Sequence, residues 1–340
     1  MSKKATDSHQ DPVGVSSVAS SAAAAPAPQQ PKPKPKRFYA SIHPGPKAPL
    51  PQPFVELIQS LEQSIGIPLW LLIQRSDGEG LYGQVDDGLR KAFLDARAEF
   101  VPGEEVGLLI DSPGGQARSA FQIAKLLRRH CGGFAAVVPR YAKSAATLLT
   151  LGAERLFLNS EAELGPLDAQ IFDPEREDFS SALDEVQSLE RLHAFSLEAI
   201  DQTMIFVLSR THKKVDRVLP QAMHFVSEMI KPLFEKIDVV HYTQRARVLK
   251  VAEEYAIRLL TPRYSKRDAE RIARRLVEKY PEHGFVIDKD ELTDPGELLD
   301  LGLNMEIEEL TDEQTRIMNE MMPFLGQFSV IGKLREVQSP

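Results

Sequence analysis

Two spacings of hydrophobic positions alternate along the first half of this chain. Apolar residues at helical spacing separate four short apolar runs that have the length of buried strands. These runs are IPLWLLIQ at 67–74, VGLLIDS at 106–112, FAAVVP at 134–139 and RLFLN at 155–159. Strands that alternate with helices predict a mostly parallel sheet with helices on its faces. The predicted fold class is therefore α/β.

A long segment from about residue 175 to residue 260 has helical spacing almost throughout. It is followed by a helical stretch, SKRDAERIARRLVEKYP, and by HGFVID, which we predict to contain a short strand. The last predicted helix is TDEQTRIMNEMMPFLGQF, ahead of a polar terminus. We therefore expect one α/β domain over residues 54–310, including the helical segment, and a C-terminal helix and tail over residues 311–340.

Residues 1–53 differ from the rest in composition. They are rich in Ala, Pro, Ser and Gln and contain the run PKPKPKR. Alternating proline and lysine cannot bury a core and favours an extended, solvated chain. We predict a disordered N-terminal tail here.

Charge and cysteine content narrow the function classes. The formal net charge of −8 argues against a general nucleic-acid binder. The single cysteine, Cys131, excludes an intramolecular disulfide and a cysteine-based zinc site. The N-terminal residues contain no apolar signal core, and no apolar run is long enough to span a membrane. We expect a cytoplasmic protein with no nucleic-acid partner and no membrane span.

Two turns that follow successive predicted strands have residues suited to acyl transfer. DSPGGQ follows VGLLI, and YAKSAAT follows AAVVP. Ligands of open α/β sheets bind beyond the carboxyl ends of the strands, where these turns lie. Ser144 could supply a hydroxyl nucleophile, and the backbone N–H groups of Gly115 and Ala145 could hold an oxyanion. Equally, Gly-Gly can be only a tight turn and Ser144 only a helix cap.

Residues 106–171 resemble the Clp-type peptidases and the crotonase-like superfamily. More closely, they resemble the serine dehydrogenase proteinase family, also described as SDH-type Clp-fold serine proteinases. The matching motifs are DSPGG, SAAT within its strand and helix pair, and the turn ELGPLD. The resemblance covers about 55–175 and 265–305, where HGFVIDKDE and DLGL match, and implies a Clp/crotonase-like ββα superhelix. It places Ser144 at the nucleophile and Gly115 and Ala145 at the oxyanion hole.

One position departs from the Clp pattern. Where a Clp-type protease carries its general-base histidine, this chain has Gly165. Signal peptide peptidases use a serine–lysine dyad instead, and the first lysines after residue 175 are Lys213 and Lys214. His283, just before FVID, is another candidate base, with Asp168 or Asp288 to orient its ring. The base therefore remains open between His283, a lysine and none at all.

Three functions follow from these alternatives. The first is an ATP-independent serine endopeptidase that needs no metal or organic cofactor, acts on a peptide or protein and forms a homo-oligomer. The second is a Clp-fold scaffold or peptide-binding protein that has lost its base, which Gly165 favours. The third is crotonase-like acyl-CoA chemistry, for which Glu163 and Asp168 could supply the carboxylate.

Overall fold

The computed structural model describes residues 37–43, 49–168, 170–173, 178–294 and 303–337. The helices, in chain order, are α1 (Gln52–Ile65), α2 (Asp87–Asp95), α3 (Ala117–His130), α4 (Ala145–Thr150), α5 (Ala182–Thr211), α6 (Val215–Phe234), α7 (Val239–Leu260), α8 (Lys266–Glu278), α9 (Lys289–Thr293) and α10 (Asp312–Met321). The strands are β1 (Arg37–Ala40), β2 (Leu69–Ile73), β3 (Val106–Asp111), β4 (Phe134–Val138), β5 (Tyr141–Ala142), β6 (Arg155–Leu158), β7 (Glu163–Leu164), β8 (Gln170–Asp173), β9 (Asp178–Ser181) and β10 (Val330–Val337).

A central sheet organises the described residues into three layers. Its six described strands lie in the order β1-β10-β2-β3-β4-β6, and the run β2-β3-β4-β6 is parallel. Alternate residues of one strand enter opposite cores, since successive side chains of a strand point to opposite faces. Leu108 packs on the side of α2, α3, α7 and α8, and Leu109 on the side of α1 and α10. The mixed α/β fold and the mostly parallel sheet agree with the sequence prediction.

The carboxyl ends of the parallel strands lead into a smaller layer of paired chain segments. β5 pairs in parallel with β7, and isolated bridges join Ser112 to Ala142 and Leu164 to Ile287. This layer brings the turns after β3, β4 and β6 together with the HGFVID segment. Only a bridge at Ile287 forms there, so the predicted strand in HGFVID is shorter than expected.

Both ends of the predicted domain need correction. The N-terminal tail was predicted to run to residue 53, but Arg37–Ala40 form β1 and α1 begins at Gln52; residues 1–36 lie outside the described residues. Residues 311–340 were predicted as a helix and polar tail, but after α10 the chain forms β10, between β1 and β2. Val330 and Ile331 are buried, whereas Arg335 and Glu336 are exposed, because that end of β10 pairs with the edge strand β1.

The segment predicted as helical over 175–260 begins with a strand pair, β8 and β9, and then contains α5, α6 and α7.

Many large apolar side chains of α5 and α6 are exposed, among them Ile205 at 68% and Phe225 at 58%. Within the described residues, no helix combines the length and apolar character that a membrane span requires.

Candidate active site

Ser144 precedes α4 in a backbone conformation that ordinary helix caps do not have. Its φ is 50° and its ψ is −117°. An N-cap residue is usually extended, and its side-chain oxygen accepts a hydrogen bond from the first turn; the Ser144 hydroxyl accepts none. A non-glycine residue in such a region costs on the order of 1–3 kcal/mol, and this strain is concentrated at functional sites. Ser144 is therefore not an ordinary helix cap.

Gly114 and Gly115 pass so close to Ser144 and to Val85 that no side chain fits. Their φ angles are 103° and 142°. A Cβ on Gly114 would lie 2.5 Å from the Lys143 carbonyl oxygen and 2.9 Å from the Ser144 Cβ, and one on Gly115 would lie 2.5 Å from the Val85 carbonyl oxygen. The glycine pair is thus required by close packing as well as by backbone angle.

Two backbone N–H groups beside Ser144 have no backbone acceptor among the described residues. In the bridge to Val85, the Val85 N–H donates to Gly114 and the Gln116 N–H donates to Val85, so the Gly115 N–H is not used. The Ala145 N–H is the first of α4 and has no acceptor within that helix. A pair of fixed donors near a hydroxyl is the arrangement that stabilises an oxyanion.

A buried hydrogen-bond chain holds the glycine turn. The Gln74 side-chain N–H donates to the Tyr82 carbonyl at 2.7 Å, and the Ser112 hydroxyl donates to Gln74 Oε1 at 2.5 Å. The Gly114 N–H in turn donates to Ser112 Oγ at 3.1 Å. Ser112 thereby fixes the orientation of the Pro113–Gly114 peptide. The next peptide, which carries the Gly115 N–H, is held by the Val85 N–H, which donates to the Gly114 carbonyl at 2.7 Å.

Replacing Ser112 with alanine is expected to lower the free energy of unfolding by about 1–3 kcal/mol, because buried Gln74 Oε1 and the Gly114 N–H each lose a partner. Urea denaturation followed by circular dichroism measures this. Ser329 is the matched control: its buried hydroxyl has no partner among the described residues, so Ser329→Ala should change stability far less. Equal losses in both variants would contradict the role of Ser112.

His283 and Asp168 lie next to each other on the opposite side of the site. Burial is the largest influence on His283 and lowers its pKa, and the Lys143 ammonium acts in the same direction. The Asp168 carboxylate and backbone carbonyl raise the His283 pKa but do not overcome the burial. The ring is therefore neutral at neutral pH and can accept a proton. Its Nδ1 is buried and forms no hydrogen bond of ordinary geometry with a described residue.

The Asp168 carboxyl group is held firmly at the start of α5. Its two oxygens accept hydrogen bonds from the Ser181 hydroxyl at 2.6 Å and from the Leu183 N–H at 3.2 Å. Burial raises the Asp168 pKa above its usual range, against those two bonds and the attraction of His283. Asp168 is 2% exposed, so it acts on His283 in a setting where water screens charge weakly.

The turn ELGPLD connects the two halves of the site. Leu164 and Ile287 exchange backbone hydrogen bonds of 2.9 and 3.1 Å, which attach the segment after His283 to the turn. Thr147 of α4 donates from its hydroxyl to the Gly165 carbonyl at 2.8 Å and accepts from the Gly165 N–H at 3.0 Å. Through these contacts, α4, which follows Ser144, and the segment that contains His283 are both hydrogen-bonded to the ELGPLD turn.

Lys143 explains why residue 165 is glycine. A Cβ at Gly165 would lie 2.7 Å from the Lys143 Cδ. The Lys143 ammonium forms an ion pair of 2.9 Å with Glu163 and donates to the Leu164 carbonyl at 3.2 Å. The space that a side chain at residue 165 would enter is thus occupied by the alkyl chain of a lysine whose charge is already paired.

One cavity of about 660 Å³ is lined by five of the candidate site residues. Its lining comes from the loop after β2, the glycine turn, the start of α4, the ELGPLD turn, α7 and the segment before Ile287. The members that the sequence singled out are Gly115, Ser144, Ala145, Asp168 and His283.

Comparison with known proteins gives the family. The ClpP-like SDH-type serine proteinase family matches residues 63–240, which is more than half of the chain. The chain belongs to this family. The matched part contains Ser144 and Asp168, while His283 lies beyond it, so the place of His283 in the cavity is a finding of the structure alone.

Two relatives come from the archaeon Methanocaldococcus jannaschii, and both are described as uncharacterized proteins. MJ0137 is 29% identical over 124 residues, which cover 34% of this chain and 43% of that protein. MJ1495 is 28% identical over 168 residues, which cover 49% of this chain and 48% of that protein. The chain thus matches less than half the length of either relative, and their descriptions name no activity.

Other candidates from the sequence are not brought to the cavity. Lys213 and Lys214 lie exposed between α5 and α6. Asp288 caps α9, where its carboxylate accepts the Glu291 N–H at 2.9 Å. Of the two carboxylates considered for orienting His283, the one that lines the cavity is Asp168.

Sequence reasoning missed the cavity wall formed by α7 and by the loop after β2. Arg247, Val248 and Val251 of α7 line the cavity, as do Gln84 and Arg118. The spacing of Arg247, Val248 and Val251 on one face was visible, but nothing in the sequence related that face to Ser144.

Proposed function

We propose that this chain is a serine endopeptidase in which Ser144 is the nucleophile. The observation that carries the proposal is the conformation of Ser144, which retains a strained backbone and leaves its hydroxyl unused as a helix cap. The neighbouring N–H groups of Gly115 and Ala145 support it, as does membership in a family of serine proteinases. ATP, metals and organic cofactors have no role in the proposed reaction.

In the proposed mechanism, Ser144 Oγ attacks the scissile carbonyl while His283 accepts its proton. The carbonyl oxygen becomes an oxyanion held by the N–H groups of Gly115 and Ala145. The imidazolium returns the proton to the leaving amine as the C–N bond breaks. Water then attacks the acyl-enzyme, His283 takes its proton and gives it to Ser144, and the acid product leaves.

His283 is favoured as base over a lysine for two reasons. It is the neutral, accessible proton acceptor of the cavity, with Asp168 beside it to stabilise the imidazolium. Lys143 is an ammonium ion paired with Glu163, and Lys213 and Lys214 are exposed outside the cavity. Together His283 and Asp168 also argue against the scaffold alternative, whose support was the glycine at position 165.

The test is reaction of the full-length chain with a fluorophosphonate, followed by intact-protein mass spectrometry and peptide mapping, beside digestion of an unfolded protein substrate. A single adduct on Ser144 that also blocks digestion is the expected result. An intact chain with no adduct and no digestion would sink the proposal. Saturable coenzyme A binding in that case would support acyl-CoA chemistry instead.

The Asp168→Asn variant separates an electrostatic role of this carboxylate from mere packing. The Asp168 charge raises the His283 pKa. Removing this charge should therefore lower the His283 pKa further, and the pH range over which the labelling rate rises should move to lower pH. On the plateau we expect a loss on the order of 10²–10⁴-fold, because the imidazolium formed in the reaction loses its partner.

The pH dependence of the labelling rate measures both effects. Asp288→Asn is the matched control, since asparagine caps a helix as well as aspartate does and Asp288 does not line the cavity. An acid limb that stays in place or moves to higher pH in Asp168→Asn would contradict the assigned role.

We further propose that the protein is a homo-oligomer in which α5 and α6 supply subunit contacts. Exposed apolar side chains recur along both helices; they include Phe195, Phe206, Met223, Phe225 and Phe234. Contiguous exposed apolar area of this kind marks an interaction surface. Light scattering should give a mass that is a multiple of 37.9 kDa, whereas a monomeric mass at micromolar concentration would reject the proposal.

A further inference from the structure

Two arginines line the Ser144 cavity and remain uncommitted. Arg118 lies in the first turn of α3 and Arg247 lies on α7. Neither forms a hydrogen bond or ion pair with a described residue. Arg118 affects Asp87 through its charge alone, since the Asp87 carboxylate accepts from Arg90 at 2.7 Å. Both arginines are exposed to solvent.

The acidic groups of the same cavity are already bound elsewhere. Asp77 is held by Arg75, which lowers the Asp77 pKa to about 2, so its charge is matched outside the cavity. The Asp168 oxygens accept from Ser181 and Leu183. These donors are neutral and do not cancel the Asp168 charge, but two arginines set against this one carboxylate still leave an excess of positive charge in the cavity, although the whole chain carries −8.

The two arginines occur on helices that pack directly against each other. Phe121 of α3 stacks on Tyr255 of α7, with ring centroids 4.3 Å apart and an interplanar angle of 10°. Arg118 precedes Phe121 by three residues, about one turn. Val248 and Val251 continue the α7 wall beyond Arg247 and are 38% and 45% exposed. The cavity thus combines guanidinium groups with an apolar wall.

We propose that Arg118 and Arg247 form a subsite for a carboxylate of the peptide substrate, beside apolar contacts to Val248 and Val251. A guanidinium matches the geometry of a carboxylate, and a positive cleft draws acidic ligands toward it. The inference rests on the proposed function for its setting, since the substrate is taken to be a peptide. The carboxylate comes from a glutamate or aspartate side chain or from the C-terminus of the peptide.

The test measures binding in full-length Ser144→Ala protein, so that no chemistry is needed. Three fluorescein-labelled Ala/Gly peptides are compared by anisotropy: one with a central Glu and an amidated C-terminus, its Gln counterpart, and the Gln peptide with a free C-terminus. A carboxylate should tighten binding about fivefold, and the gain should shrink with added salt because both arginines are exposed.

Arg118→Gln and Arg247→Gln are each introduced into the Ser144→Ala chain. In either variant, the ratio of the affinities for the peptides with and without the carboxylate should fall close to one. Arg129→Gln is the matched control, because Arg129 is exposed on α3 but does not line this cavity. A preference for Glu assigns the carboxylate to a side chain, and a preference for the free terminus assigns it to the chain end.

Equal binding of all three peptides, no binding of any, or a preference that survives both arginine variants would overturn the subsite. The two proposals can fail separately. Carboxylate-dependent binding together with no hydrolysis and no adduct in the wild-type chain would leave the subsite standing and remove the peptidase function.

Discussion

Ser144→Ala should abolish fluorophosphonate labelling and reduce peptide hydrolysis by at least about 10³-fold, the loss expected when the nucleophile of a serine peptidase is removed. The physical reason is that no other hydroxyl stands beside the free N–H groups of Gly115 and Ala145 in the described cavity. Intact mass and initial rates measure the two effects. Ser160→Ala, at an exposed serine outside the cavity, should behave as wild type.

A second substitution at the same position excludes unfolding as the cause. The φ and ψ of Ser144 are close to those of the first central residue of a type II′ turn, which glycine favours. Ser144→Gly should therefore be inactive but more stable than wild type by roughly 1 kcal/mol. Thermal unfolding measures this difference. A destabilised Ser144→Gly chain would show that the serine conformation is not strained.

His283→Gln should slow labelling of Ser144 by on the order of 10³-fold or more, because the hydroxyl would have no base to accept its proton. Glutamine retains a polar side chain of similar reach, so the cavity keeps its shape. His241→Gln is the matched control, since His241 is exposed near the start of α7 and does not line the cavity.

The competing base is tested in the same experiment. Labelling that continues at the wild-type rate in His283→Gln but is lost in a Lys213→Gln, Lys214→Gln double variant would assign the base to a lysine. If labelling continues in every one of these variants, a base outside this set activates the serine. With His283 as base, the wild-type labelling rate should rise with pH through a midpoint below the usual histidine pKa, because burial lowers that of His283.

Local patterns predicted the parallel half of the sheet well. Each of its strands is a short, mostly apolar run, and after β2, β3 and β4 the chain reaches a helix with clear spacing before the next strand of this sheet. The strands β1 and β10 were not predicted from the sequence, for a physical reason. β1 follows the proline-lysine run, and β10 contains charged residues such as Lys333 and Arg335 because it lies toward the sheet edge. Their pairing depends on partners far away in the sequence.

The residues of the candidate site likewise fall into those that local sequence patterns predict and those that depend on contacts between distant segments. Ser144, Gly115 and Ala145 could be found because each lies in a turn directly after a strand. The proximity of His283 to Asp168 depends on the Leu164–Ile287 bridge, a contact between distant segments that no local pattern encodes. The replacement of the expected histidine by glycine likewise made sense only when the Lys143 side chain was seen against Gly165.

The position of β10 has a consequence for how the chain folds. Val330 pairs with Ile73 and Leu334 pairs with Ala40, so β10 joins two segments that lie far before it in the chain. On the ribosome, β2 must keep an open edge until β10 has emerged. Contacts between such distant segments slow folding, and an open strand edge invites pairing with other chains in the meantime. A nascent chain of this protein should therefore depend on protection of that edge until β10 has been translated.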